Sequence, residues 1–94
     1  MLFQVLTTID IPFGFDPAKL AELSAGERAR ARELQEQGKW LHIWRVAGRR
    51  SSIIIFRVDS ADELHSILDS LPFRPFMEAE VTALCHHPNS IEAP

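Results

Sequence analysis

The stretch Trp40-Leu41-His42-Ile43-Trp44-Arg45-Val46-Ala47-Gly48-Arg49-Arg50-Ser51-Ser52-Ile53-Ile54-Ile55-Phe56-Arg57-Val58 decides the fold. Its two ends, Trp40 to Val46 and Ser52 to Val58, are rich in β-branched and aromatic side chains, which suit a pleated surface. Gly48 closes the first of them, where the chain must turn. A β-hairpin is predicted. Within its second arm Ile53, Ile54, Ile55 and Phe56 run apolar without alternation, as in a strand buried on both faces.

Upstream of the hairpin, Asp16 followed by Pro17 reads as an N-cap with proline in the first helical position. A helix is predicted from Pro17 to about Gln37, stopped by Gly38. Before it, Leu2 to Ile11 reads as a strand that ends at Pro12 and Gly14. Downstream, Ser60 with Glu63 makes a capping box, and Leu64, Ile67, Leu68 and Leu71 keep the helical period until Pro72. Met77 to Leu84 supplies a last strand, and Pro88 begins a tail of small and polar residues. The order strand, helix, strand, strand, helix, strand matches the α+β, ferredoxin-like βαββαβ arrangement, an antiparallel sheet with two helices on one face. Residues 1–94 are expected to form a single domain, with no internal repeat or linker. Two helices leave the other sheet face open unless a partner subunit or a ligand covers it.

Composition sets the remaining bounds. With 46% hydrophobic and 24% charged residues in 94, the chain has the make-up of a folded globular protein. A domain this small hides only about 60% of its unfolded surface, so self-association is expected. Ten Lys and Arg against 13 Asp and Glu give a net charge of −3, and the longest basic cluster is Arg49-Arg50, which argues against nucleic acid as a partner. The single Cys85 permits no intrachain disulfide and suits a reducing compartment. The first dozen residues lack a basic segment, and no apolar run approaches the roughly 18 needed to span a bilayer. No membrane association and a cytoplasmic location are expected.

Glu27 is the most informative side chain. At about 100° per residue, Leu20, Leu23, Ala31 and Leu34 form one stripe of the first helix, and Glu27 falls near its middle, while the charges Glu22, Arg28, Arg32, Glu33 and Glu36 lie mostly away from it as a solvated face. Desolvation there would raise the carboxyl pKa toward the range of a general base. The structural alternatives are an ion pair with an arginine from the sheet, or a helix rotated so that Glu27 reaches water. In the strand from Trp40, simple alternation puts Trp40, His42 and Trp44 on one face and Leu41, Ile43 and Arg45 on the other. Arg45 can clamp a carboxylate through its two-pronged guanidinium, or serve an interface salt bridge. For His42 between two tryptophans, a packed interface role is favoured over a catalytic one. Cys85, His86 and His87 lack metal-ligand spacing, so no metal is expected, and Cys85 is expected to be a buried small hydrophobe.

The segments MLFQV, DPAKL, LQEQGKW, HIWRVAG, DELH, LPFRPFM and CHHPNSI, in this order and spacing from Met1 to Ile91, together resemble the muconolactone delta-isomerase family. The resemblance implies a ferredoxin-like subunit, dimers that share sheets in a dimeric α+β barrel arrangement, and a decamer with active sites at subunit contacts. It also implies a bacterial enzyme of aromatic catabolism in the β-ketoadipate pathway, converting muconolactone into 3-oxoadipate enol-lactone without metal or organic cofactor. Three stretches depart from the family pattern. Arg50-Ser51-Ser52-Ile53 stands where relatives usually carry Tyr-Ala-Asn-Tyr, Phe56-Arg57-Val58 replaces Phe-Asp-Val, and Phe73-Arg74-Pro75-Phe76 replaces Leu-Phe-Pro-Tyr.

The implied chemistry needs a base above the lactone ring, a donor for the dienolate oxygen and a cation for the acetate arm. Glu27 suits the base and Arg45 the clamp, with Arg50 as a second cation. For the donor, His42, the Trp40 indole or a backbone amide could serve. Two other readings are a paralogue that eliminates halide from a chlorinated muconolactone, and a noncatalytic oligomeric protein that binds small carboxylates.

Overall fold

The computed structural model describes residues 1–91. Its elements are β1 (Leu2–Ile9), α1 (Pro17–Glu36), β2 (Trp40–Arg45), β3 (Ser51–Arg57), α2 (Ala61–Asp69), a 3-10 turn (Arg74–Phe76) and β4 (Met77–Leu84). The strands form one antiparallel sheet in the order β2-β3-β1-β4, as the ferredoxin-like arrangement requires. The tail reading from Pro88 runs on into residues 92–94, which lie outside the described residues.

Local chemistry sets the ends of these elements. The Asp16 carboxylate accepts from the Ala18 amide at 3.1 Å, ahead of Pro17 in the first turn of α1. Gly38, at φ +74°, takes the left-handed conformation that ends the helix, and the Lys39 amide returns to the Leu34 carbonyl at 3.0 Å. At α2 the Ser60 hydroxyl accepts from the Glu63 amide at 3.1 Å, while the Glu63 carboxylate accepts from the Asp59 amide at 3.0 Å. The β2–β3 hairpin turns at Gly48, φ +79°, and closes with the Val46 amide donating to the Ser51 carbonyl at 2.9 Å.

The core lies between the sheet and the helices. Val5 in β1 faces Ile54 in β3, Phe3 faces Phe56, and all four are buried with Leu64, Ile67 and Leu68 of α2 above them. α2 is therefore firmly seated. α1 is not: of the stripe Leu20, Leu23, Ala31 and Leu34, only Leu34 is fully buried. The space left beneath α1 is a cavity.

Three sequence expectations meet a different outcome in this chain. Simple alternation along β2 fails because the pairing shifts by one residue between Trp40 and His42: Trp40 pairs with Phe56, yet His42 pairs with Ile55 and Ile43 with Ile54. Leu41 is the extra residue of a β-bulge, which changes the face of everything after it. Trp40 thus joins Ile43 and Arg45 on the helix side, and His42 and Trp44 point to the open side. Cys85, expected to be buried, is exposed in this chain, just past the end of β4 where the backbone leaves the sheet. The apolar run in β3 is buried on its helix side at Ile54 and Phe56, while Ile53 and Ile55 are only half-buried on the open face.

Candidate active site

The cavity beneath α1 holds about 250 Å³, below the roughly 300 to 1,000 Å³ of pockets for drug-sized ligands, and so suits a small molecule. Thr7, Ile9, Ile43, Ser52, Ile54 and Met77 form its sheet side. Ser24, Glu27, Arg28, Ala31 and Gln35 of α1 cover it, with Trp40 and Phe73 completing the wall. Most of this lining is apolar.

Glu27 is half-buried, with its Oε1 accepting a hydrogen bond from the Phe73 amide at 3.0 Å. Gly26 eases the approach: a Cβ there would stand 3.3 Å from Pro72 Cγ, a tight contact that would press the Pro72 ring away from α1 by a few tenths of an ångström. Burial pushes the Glu27 carboxyl above its usual pKa, partly offset by the Phe73 N–H, which favours the charged form. Neither structural alternative for Glu27 is realised, since no arginine or lysine pairs with it among the described residues and it is turned into the cavity. The result is a carboxylate of increased basicity, held at one oxygen.

Trp40 is 3% exposed and packs edge-to-face on Phe56, with ring centroids 5.3 Å apart. Its indole Nε1 is buried without a hydrogen-bond partner. Leaving such a donor unsatisfied costs about 1–3 kcal/mol.

The remaining sequence candidates lie elsewhere. Arg45 is exposed and opposite Ser52 in the ladder, in the row that contains the cavity residue Ile43, so it stands beside the mouth without forming its wall. His42 is stacked on Trp44 on the open face, centroids 5.0 Å apart and ring planes at 17°. Arg50 is in the hairpin loop, 3.9 Å from the Asp10 carboxylate, with both side chains well exposed. Within one chain, then, Glu27 and Trp40 share the cavity, Arg45 flanks it, and His42 and Arg50 are outside. Sequence reading missed the Phe73 amide, which carries no side-chain signal, and Arg28, which helical periodicity assigns to the solvated face. Among the described residues, no three His, Cys, Asp or Glu side chains are grouped as a metal ion would require. No helix among them is long and apolar enough to cross a membrane.

Comparison with known proteins adds a family to this geometry. The family model described as muconolactone delta-isomerase matches residues 1–90. A muconolactone delta-isomerase of Acinetobacter baylyi is 46% identical over 97% of this chain and 95% of its own length. One from Pseudomonas putida is 42% identical over 99% and 97%. Among solved structures, a crystal structure of muconolactone isomerase superposes with a TM-score of 0.94 at 44% identity, covering 100% of this chain and 98% of the other. A 5-chloro-2-hydroxyhydroquinone dehydrochlorinase of Burkholderia phenoliruptrix, at 21% identity and a TM-score of 0.67 over 93% of this chain and 96% of its own, shares the fold alone.

Proposed function

The chain belongs to the muconolactone delta-isomerase family, and from that premise we propose that it shifts the ring double bond of muconolactone, or of a substituted muconolactone, to give 3-oxoadipate enol-lactone. The observation that carries the proposal is Glu27, a carboxylate of raised proton affinity facing a small apolar cavity that also holds the Trp40 indole.

In this reading the Glu27 carboxylate removes the ring proton next to the acetate arm. The electron pair moves through the ring double bond onto the lactone carbonyl oxygen, giving a dienolate. Glu27 then returns the proton to the carbon beside that carbonyl, so one base serves both steps and no net proton is gained or lost. The Trp40 N–H donates to the developing oxyanion, where a fixed donor in a dry site is most effective. Arg45, at the mouth, meets the acetate arm. His42 and Arg50 reach substrate only at a subunit contact. No metal or organic cofactor has a step in this scheme.

The test is to incubate the purified protein with muconolactone and with its chlorinated and methylated analogues, following products by NMR. Isomerisation of at least one lactone is expected. If Glu27 is the only base and is shielded from water, product formed in D₂O should retain part of the original proton. No turnover of any of them would overturn the proposal.

The proposal extends to self-association and location. On the open sheet face, Leu6 pairs beside Ile53, and Ile53 beside Trp44, which is 56% exposed. A second copy laid on this face would bury them, giving sheet-sharing dimers that assemble further into the decamer implied by the family resemblance. Light scattering at micromolar concentration should show a homo-oligomer, and Trp44→Glu, which puts a charge into that contact, should shed subunits. A stable wild-type monomer would rule this out. We place the enzyme in the cytoplasm, where its single exposed Cys85 would stay reduced.

A further inference from the structure

The acetate arm of the proposed substrate carries a full negative charge, and the cavity wall itself contains one cationic side chain, Arg28. We propose that Arg28 is a substrate-anchoring residue that grips this carboxylate from the helix side of the mouth, across from Arg45 on the sheet side. The proposal rests on the isomerase reading above.

Three observations support it. First, Arg28, like Arg32 and Arg45, has no carboxylate partner among the described residues, whereas Arg30 is held by Glu33 and Arg74 by Asp69; of the unpaired arginines it alone lines the cavity. Its guanidinium is free to take an anion. Second, Arg28 lines both the Glu27 cavity and the shallow groove on the outer side of α1, so it occupies the lip where the cavity opens to solvent. The groove beyond the lip also carries Glu33 and Glu36 beside Arg32, a mixed surface that does not favour an anion by itself. Third, burial and the Phe73 amide account for the Glu27 shift, and no cation contributes to it. Arg28 also makes no ion pair with Glu27 among the described residues, so the base stays free for the ring proton.

Helical periodicity gives Arg28 to the solvated face because its Cα lies a full 100° step from Glu27 around α1. Its long stem brings it back. A guanidinium on a flexible aliphatic stem can cover apolar lining and still present two parallel N–H donors to a carboxylate at the rim.

The test compares wild type, Arg28→Ala, Arg28→Lys, Arg45→Ala and Arg32→Ala on muconolactone and on its methyl ester, in which the arm is neutral. Arg28→Ala should raise KM for the acid about tenfold at nearly unchanged kcat, because the contact exists in the ground state as well as the transition state. Arg28→Lys should recover part of the loss, and Arg32→Ala should behave as wild type. On the ester the Arg28→Ala and wild-type enzymes should be equal within a factor of two. Equal losses on acid and ester would mean that the substitution disturbs the site generally and would overturn the proposal, as would an Arg28→Ala enzyme with wild-type KM for the acid. Calorimetric binding of a saturated, unreactive lactone acetic acid separates this inference from the function it rests on. Arg28-dependent binding by a protein that turns nothing over would sustain the anchor and remove the isomerase reading; binding indifferent to Arg28 would remove the anchor.

Discussion

Glu27→Gln is expected to fold and assemble normally while its turnover falls by about 100-fold or more, the usual cost of losing a general base. Glutamine keeps the shape and an oxygen able to accept from the Phe73 amide at the site of the 3.0 Å contact, but it cannot take up the ring proton. In the wild type, turnover should also decline as pH falls through the folded-state pKa of Glu27, which burial has raised. Stability should move in the opposite direction. A carboxyl whose pKa is higher in the folded state than in the unfolded chain favours the fold most when protonated, and that contribution is lost as pH rises through the folded pKa. At neutral pH the wild type therefore bears the cost of a half-buried charge that Glu27→Gln does not. The variant should melt above the wild type at pH 7, and the gap should close on acidification below the ordinary glutamate pKa of about 4.3. A folded variant with near-normal turnover would take Glu27 out of the mechanism. A melting-temperature gap of the reverse sign would show that the charge-assisted bond to Phe73 outweighs desolvation.

The second large effect is expected at Trp40. Trp40→Phe retains an aromatic ring against Phe56 but removes the buried, unpaired Nε1–H. Lost ring volume destabilises, loss of an unsatisfied donor stabilises by about 1–3 kcal/mol, and the two partly cancel. Catalysis has no such compensation. Removing a donor aimed at a developing oxyanion typically costs about 10²- to 10³-fold in kcat, and the loss should appear in kcat more than in KM. A Trp40→Phe enzyme within a few-fold of wild type would assign oxyanion stabilisation to a backbone amide or to a group contributed by another subunit.

Element order was legible in the sequence because each boundary carries its own chemistry. Asp16-Pro17 and Ser60 with Glu63 start helices through side-chain acceptors, Gly38 ends one through its backbone, and all three act within a few residues of where they stand. Glu27 was legible for a related reason: a carboxylate at an apolar phase of a helix is conspicuous whatever lies beneath it. The arrangement of β2 was not, because the bulge at Leu41 arises from pairing with β3 and leucine carries no preference that announces it. Periodicity locates Cα positions, and so it misplaced Arg28, whose long side chain reaches the cavity from an exposed position. The Phe73 amide depends on how closely α1 approaches the segment after α2, a tertiary distance.

One inserted residue in β2 also bears on how such a protein can change over time. A strand of strict two-residue period would have to present Trp40 and Trp44 to the same side, and any alteration suited to one neighbour would be felt by the other. Because Leu41 breaks the period, Trp40 answers to the cavity, whereas His42 and Trp44 answer to whatever lies against the open sheet. The two surfaces can drift separately: a lineage could refit its outer face to a new neighbour while the small apolar chamber stays as it was, or reshape the chamber for a bulkier ring without loosening that face. Deleting Leu41 would leave that separation in place, because Trp40 and His42 already pair with the adjacent Phe56 and Ile55; forcing Leu41 into a one-to-one ladder is what would turn one flank over and tie the two surfaces together.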